Sequence, residues 1–267
     1  MRELFIRGIS GLFYVGLILG SVYYDRLIFT LVILIFSGLA MVEFQRLVDH
    51  KSYMPIALVI LLVYNFYQSK INTPDLFYPL LSVFMAHVFL LYWLYSNKAI
   101  ALGYLSRTLL TLFYIGLGCF FIIALAGNAD QFQPKNIVLF FVLIWINNTF
   151  AYLVGKKLGK NPLFSRVSPK KTWEGFVGGL IFTLITAFVF QYFYANQSTI
   201  HYLIIALITS VLATLGDLIQ SQFKRYAQVK DSGSLIPGHG GFFDRMDSAI
   251  FVAPWFYLLL NFKEYVS

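Results

Sequence analysis

Four polar residues near the end of an apolar stretch, Asp217, Gln220, Ser221 and Lys224, stand at i, i+3, i+4 and i+7. On a helix that spacing puts all four on one face. An aspartate inside the end of a membrane-spanning segment is costly unless paired, which makes Asp217 a candidate functional group. Asp244 and Asp247 repeat the i, i+3 spacing at the start of the last span. Carboxylates are stabilised at a helix N-terminus, and two together can hold a hard divalent cation through oxygen. Asp217, Asp231, Asp244 and Asp247 are four of the chain's 12 acidic residues, interleaved with Lys224, Arg225, Lys230 and Arg245. Like charges so concentrated repel one another unless cations lie among them. A salt-bridged loop is the plainer alternative. Pro237-Gly238-His239-Gly240-Gly241 adds backbone that a ligand can approach closely and whose N–H groups can meet an anion. His239 fits a general base, a phosphate donor or a turn residue, and contact with phosphate or substrate is the favoured role.

A second polar stretch runs from Asn147-Asn148-Thr149 through Gly155-Lys156-Lys157-Leu158-Gly159-Lys160 to Ser168-Pro169-Lys170-Lys171-Thr172-Trp173-Glu174-Gly175. Ser168-Pro169 is expected to break the chain before a new span, leaving Lys170 and Lys171 at its start. Cations beside a fresh helix N-terminus make a site for phosphates. The alternative is that these basic residues enforce topology and touch anionic headgroups; both can hold at once. Together the two stretches describe metal-binding carboxylates and phosphate-binding lysines and glycines at the level of lipid headgroups. Phosphoryl or nucleotidyl transfer to or from a lipid fits that set, because it needs charge neutralisation and positioning more than covalent catalysis.

The elements that must position these residues are membrane helices. Of the 267 residues, 59% are hydrophobic and only 12% are charged, against about 25% charged in soluble domains. Continuous apolar runs predict nine spans at 5–23, 28–46, 54–69, 76–96, 106–126, 137–155, 175–195, 201–222 and 248–262, an all-α polytopic fold. Their lack of alternation argues against a barrel. The first run follows Arg2 and Arg7 but no clear small-residue cleavage site follows it, so it is read as a span and not a signal peptide. With the N-terminus inside, sixteen of the 20 basic residues fall on the cytoplasmic side, and only Arg26, Lys70, Lys135 and Lys263 do not. That asymmetry is the positive-inside pattern. It accounts for the net charge of +8 without a nucleic-acid partner. Residues 1–267 are read as one membrane domain, with N-terminal helices over 1–135 and the catalytic helices and cytoplasmic loops over 136–267. Cys119 stands alone in mid-span, which excludes a disulfide framework and a cysteine zinc site. Glu43 lies near a span end, where Arg46 at i+3 could satisfy it; a structural role is favoured over a catalytic one.

The run Ser221-x-x-Lys224-Arg225, then Lys230-Asp231-x-Gly233, then Ile236-Pro237-x-His239-Gly240-Gly241 and Asp244-Arg245-x-Asp247 resembles the signature of phosphatidate cytidylyltransferases, the CDP-diacylglycerol synthases. Ser168 to Gly175 and Gly216-Asp217-Leu218 resemble further motifs of that family. The likeness is strong over 145–250, whereas the first half agrees mainly in hydropathy and around Glu43. The resemblance implies that phosphatidate attacks the α-phosphorus of CTP, with Mg²⁺ required and a second cation left open. It implies a multi-pass protein of a bacterial inner membrane, with its site facing the cytoplasm; a homodimer is left open.

By residue, the resemblance implies that Asp217, Asp244 and Asp247 are the metal carboxylates. Lys170, Lys171, Lys224, Arg225 and Lys230 would hold the triphosphate and the lipid phosphate. Asp231 would join the metal shell or fix Lys230. Ser221, Gly240, Gly241 and Arg245 are further substrate-binding candidates, and His239 is grouped with the catalytic set. Two positions depart from the family pattern: Asn148 stands where Asp is usual, and Gln220 where an acidic residue is usual. Losing two negative charges should weaken cation binding. The alternatives to an active cytidylyltransferase are therefore a weakened or non-catalytic paralogue that binds anionic lipid or a partner protein, and a CTP-dependent lipid kinase.

Overall fold

A computed structural model of the chain describes residues 2–96, 100–127, 132–194, 198–235, 240–262 and 265. Its helices are α1 (Arg2–Tyr24), α2 (Arg26–Leu47), α3 (Met54–Tyr67), α4 (Phe77–Ser96), α5 (Tyr104–Leu110), α6 (Leu117–Ala124) and α7 (Pro134–Leu158). A hairpin of β1 (Pro162–Phe164) and β2 (Ser168–Thr172) follows, then α8 (Trp173–Tyr194), α9 (Thr199–Tyr226) and α10 (Phe243–Leu260). Helices α5 and α6 are joined without a break by a π-helical segment, Thr111–Gly116. Each of the nine expected runs therefore coincides with a helical run. Among the described residues six helices are long and apolar enough to cross a bilayer, from Arg26–Leu47 to Thr199–Tyr226, while Gly11–Tyr24 and Met54–Tyr67 are shorter apolar helices. The protein is a helical membrane protein.

Local chemistry sets the helix starts. Asp25 accepts from the Leu27 N–H at 2.6 Å to cap α2, and Ser198 accepts from His201 to cap α9. Pro134 opens α7, where a missing N–H costs nothing.

The last helix is the axis of the packing. Phe243, Met246, Ile250, Phe251, Val252 and Phe256 of α10 are all buried, and every residue of α6 is buried beside it. A helix apolar on all sides belongs in the middle of a bundle. Its aromatic neighbours interlock: Phe44 of α2 meets Phe223 of α9 edge-on at 4.8 Å and Phe243 at 5.8 Å, and Tyr114 stacks on Phe223. Helices α7 and α8 approach closely through small residues. A Cβ on Gly175 would lie 2.6 Å from the Ala151 carbonyl, and one on Gly178 would strike Val154. Close backbone approach through small residues is how helices associate where lipid removes the hydrophobic drive.

Two expectations are corrected. Lys170 and Lys171 stand on strand β2 and not at the start of a helix, so the fold is helical with one small hairpin. Pro169 fixes an extended φ and restricts Ser168 to extended backbone, which favours a strand there. Asp244 and Asp247, by contrast, stand where they are expected, at the start of the last helix: α10 begins at Phe243 and holds both in its first two turns. The other correction is Glu43, which does not pair with Arg46. Its oxygens accept from Ser232, Phe242 and Phe243, which lie 189, 199 and 200 positions along the chain.

Candidate active site

The hairpin reaches the bundle through Glu174, in the first turn of α8. Its carboxylate accepts from the Lys160 and Asn161 N–H groups and from the Asn161 side chain at 2.7 Å. Trp173 N–H donates to the Asn161 carbonyl, and Thr172 Oγ1 accepts from Gly175 N–H. These bonds fasten β2 across the ends of α7 and α8. They carry Lys171 to Asp217 of α9, with Nζ and Oδ2 2.6 Å apart.

On α9 the predicted face is real, and it looks towards α10. Ser221 Oγ donates to Asp217 Oδ1 at 3.3 Å. One turn on, Gln220 Nε2 and Lys224 Nζ both donate to Asp244 Oδ1 at 2.8 Å. The other oxygen of Asp244 accepts from the Ser232 N–H and hydroxyl and from the Gly241 N–H, all within 3.0 Å. Asp244 is thus saturated by five donors. Gly240 has φ +81°, the left-handed region that glycine tolerates, and a Cβ there would lie 2.5 Å from Asp244 Oδ2.

Asp247, one turn further into α10, accepts from its neighbour's N–H, Ser248, and pairs with no lysine or arginine among the described residues. Next to it a neutral network runs inward. Asn148 Nδ2 donates to Ser248 Oγ, Ser248 Oγ to the Ala213 carbonyl, and Ser210 Oγ to Asn147 Oδ1 at 2.6 Å. Both departures from the family pattern therefore act as amide donors here: Asn148 towards Ser248, Gln220 towards Asp244. Gln220 Oε1 is buried with no partner among the described residues.

These groups border a cavity of about 900 Å³, at the upper end of the usual range for ligand sites. Lys170, Lys171, Asp217, Asp244, Arg245 and Asp247 line it, with Asn148 and Lys156. Its apolar wall comes from Tyr14 of α1 and Phe141, Ile144 and Trp145 of α7. Nothing in the sequence marked these four, because an aromatic or aliphatic residue in a span is ordinary bundle or lipid contact. Ser221 and Lys224 touch the lining carboxylates without forming the wall. Arg225 lies at the hairpin, its Nε donating to the Val167 carbonyl at 3.4 Å, and Lys230 and Asp231 are exposed beyond the cavity. Gly240 and Gly241 pack behind Asp244. His239 lies outside the described residues.

Among the described residues no group of three or more His, Cys, Asp or Glu side chains is placed to hold a metal. The expected trio of aspartates is divided because Asp244 is turned to its five donors. All three line the cavity, but Asp244 has its oxygens taken up, whereas Asp247 pairs with no lysine or arginine among the described residues. Asp217 and Asp247 fit a hard divalent cation, which one or two carboxylates together with substrate phosphates can hold.

Residues 5–263 match the profile of the Cytidylyltransferase family. The chain belongs to this family. Among relatives bearing the name phosphatidate cytidylyltransferase, that of Bacillus subtilis (strain 168) is 46% identical over 150 residues, 55% of each chain. Those of Staphylococcus haemolyticus (strain JCSC1435) and Staphylococcus aureus (strain COL) are each 37% identical over 177 residues, 66% of each chain. Each match spans less than two thirds of the relative's own length. Family membership accounts for the long signature between Ser221 and Asp247, of which Ser221, Lys224 and Arg225 lie on α9 and Asp244, Arg245 and Asp247 on α10.

Proposed function

We propose that this member of the cytidylyltransferase family transfers the cytidylyl group of CTP to phosphatidate, giving CDP-diacylglycerol and pyrophosphate. The observation that supports it is a single cavity that joins Lys170, Lys171, Asp217 and Asp247 to an apolar wall of Tyr14, Phe141, Ile144 and Trp145. A nucleotide triphosphate needs the first set, and a diacylglycerol backbone needs the second.

In this reading an oxygen of the lipid phosphate forms the new bond to the α-phosphorus of CTP. The bond from that phosphorus to the bridging oxygen breaks, and its electron pair leaves on pyrophosphate. The attacking oxygen is already ionised, so no strong base is required. The work is electrostatic. Lys170 and Lys171 stand at the cavity to hold phosphate oxygens, Lys224 and Asp244 hold one another and keep α9 and α10 in register, and Arg245 is at hand on the lining. Arg225, Lys230 and Asp231 supply charge at the rim, with His239 as a phosphate contact. A divalent cation held by Asp217 and Asp247 would neutralise the triphosphate; Mg²⁺ is the ion proposed, and a second cation and a homodimer stay open.

The chain crosses a bacterial inner membrane nine times with its N-terminus inside, so the site meets cytoplasmic CTP. Supporting this is the concentration of basic residues between Lys156 and Lys171 and between Lys224 and Arg245. The test is conversion of phosphatidate in lipid nanodiscs with CTP and Mg²⁺, followed by mass spectrometry of the lipid and assay of the released phosphate species. CDP-diacylglycerol with pyrophosphate supports the proposal. CDP with a newly phosphorylated lipid would make the protein a lipid kinase. No CDP-lipid, beside an active Bacillus subtilis relative, would leave a binding paralogue.

A further inference from the structure

Glu43 lies on α2, far in sequence from every residue of the signature, and is 1% exposed. No lysine or arginine pairs with it among the described residues. Three donors meet its carboxylate instead. Oε1 accepts from the Phe242 N–H at 3.1 Å, and Oε2 accepts from the Phe243 N–H and the Ser232 hydroxyl, each at 2.9 Å. Phe242 and Phe243 are the N-cap and first residue of α10, whose cap has no side-chain bond of its own. A buried carboxylate there satisfies orphan N–H groups and favours the positive end of the helix.

The same contacts tie both flanks of the signature loop. Ser232 Oγ lies 2.9 Å from Glu43 Oε2 and 2.9 Å from Asp244 Oδ2. A hydroxyl has one proton, so the two carboxylates share it. A Cβ on Gly233 would lie 2.5 Å from Glu43 Oε1, and one on Gly241 would lie 2.0 Å from Oε2. Both glycines leave room for this carboxylate.

We infer that Glu43 is a positioning residue for the transfer reaction: it caps α10 from α2 and, through Ser232, sets where Asp244 and Asp247 stand. This rests on the reading of the cavity as a cytidylyltransferase site. A glutamine at 43 has the right shape, but whichever way its amide turns, an N–H₂ faces a backbone N–H of α10. A partner that orients a site carboxylate typically costs roughly ten- to a hundredfold in activity when it is removed.

The experiment compares wild type, Glu43→Gln and Ser232→Ala in nanodiscs. It measures kcat, the KM for CTP, the melting temperature, and the rate of trypsin cleavage after the exposed Lys230 without nucleotide. The expected result for Glu43→Gln is a fall in kcat of about tenfold or more, measured well below the lowered melting temperature so that the protein is folded, with KM little changed, and faster cleavage. Ser232→Ala, which leaves Glu43 its two backbone donors, is expected to show a smaller fall. Retained kcat, a loss confined to KM, or a loss that tracks melting temperature would overturn the inference, as would unchanged cleavage in both variants. If wild type makes no CDP-lipid, the proposed function fails, and cleavage alone judges the clamp.

Discussion

Lys171 Nζ lies 2.6 Å from Asp217 Oδ2, so an ion pair joins strand β2 to helix α9 at the cavity wall. Their side chains are 26% and 33% exposed, whereas those of Lys224 and Asp244, paired at 2.8 Å, are 15% and 8% exposed. The two pairs should behave differently. The more solvated pair, Lys171 and Asp217, is held together by about 1 kcal/mol or less and can open for a ligand. A buried pair leaves an uncompensated charge when one partner is removed.

For Lys171→Ala the expected outcome is therefore a loss of stability below about 1 kcal/mol, with a fall in kcat/KM for CTP on the order of a hundredfold. Denaturant unfolding in detergent micelles and steady-state kinetics check the two halves separately. A stable and fully active variant would remove Lys171 from the site.

Lys224→Met should reverse the balance. Asp244 would keep Gln220, Ser232 and Gly241 as donors but lose its cation, at a cost of about 3 kcal/mol. The same unfolding measurement reads it, and a cost no greater than that of Lys171→Ala would contradict the assignment of Lys224 as a buried structural partner.

Asn148→Asp replaces an amide that donates to Ser248 Oγ with a carboxylate that cannot donate, on the cavity that Asp217 and Asp247 already line. Without cation the variant should be less stable by about 1–3 kcal/mol, the cost of a poorly satisfied buried polar group. Added Mg²⁺ should recover that loss, because a ligand that binds only the folded state stabilises it. Melting temperature against Mg²⁺ concentration tests this; equal Mg²⁺ responses in wild type and variant would count against a cation at this place.

Gly175→Ala would set a Cβ 2.6 Å from the Ala151 carbonyl and force α7 and α8 apart. The expected destabilisation is about 1–3 kcal/mol, as for other overpacked contacts. Since α8 carries Glu174, which fastens the hairpin, activity should fall with it. Unfolding and turnover of the same preparation decide whether the two move together.

Single cysteines at Lys157 and Gln68 should label from opposite sides of the membrane, Lys157 from the cytoplasm. The native Cys119 is buried and gives little background with a membrane-impermeant maleimide. Labelling of both from one side would refute the nine-span, N-inside topology.

Much of the helix layout was readable from the sequence, because a 20-residue apolar run in a chain with few charges leaves the backbone no other way to satisfy itself in lipid. The face shared by Asp217, Gln220, Ser221 and Lys224 was readable too, since helical periodicity is local. The hairpin at Pro162 to Thr172 was missed: its strands are three and five residues long and depend on Glu174, which reaches back to Lys160 and Asn161.

What the sequence by itself determined was the membrane class, the family signature and the residue types that could meet a triphosphate. Its local rules reach only a turn or two, so they offered Arg46 as the partner of Glu43, and the family resemblance grouped three aspartates as one set. Only the tertiary structure decided that Glu43 caps α10, that Asp244 is filled by five donors, and that Asp217 and Asp247 are left facing a cavity walled by Tyr14 and Trp145. Those outcomes depend on which helices pack together, and a buried polar group takes whatever partner the packing brings within 3 Å.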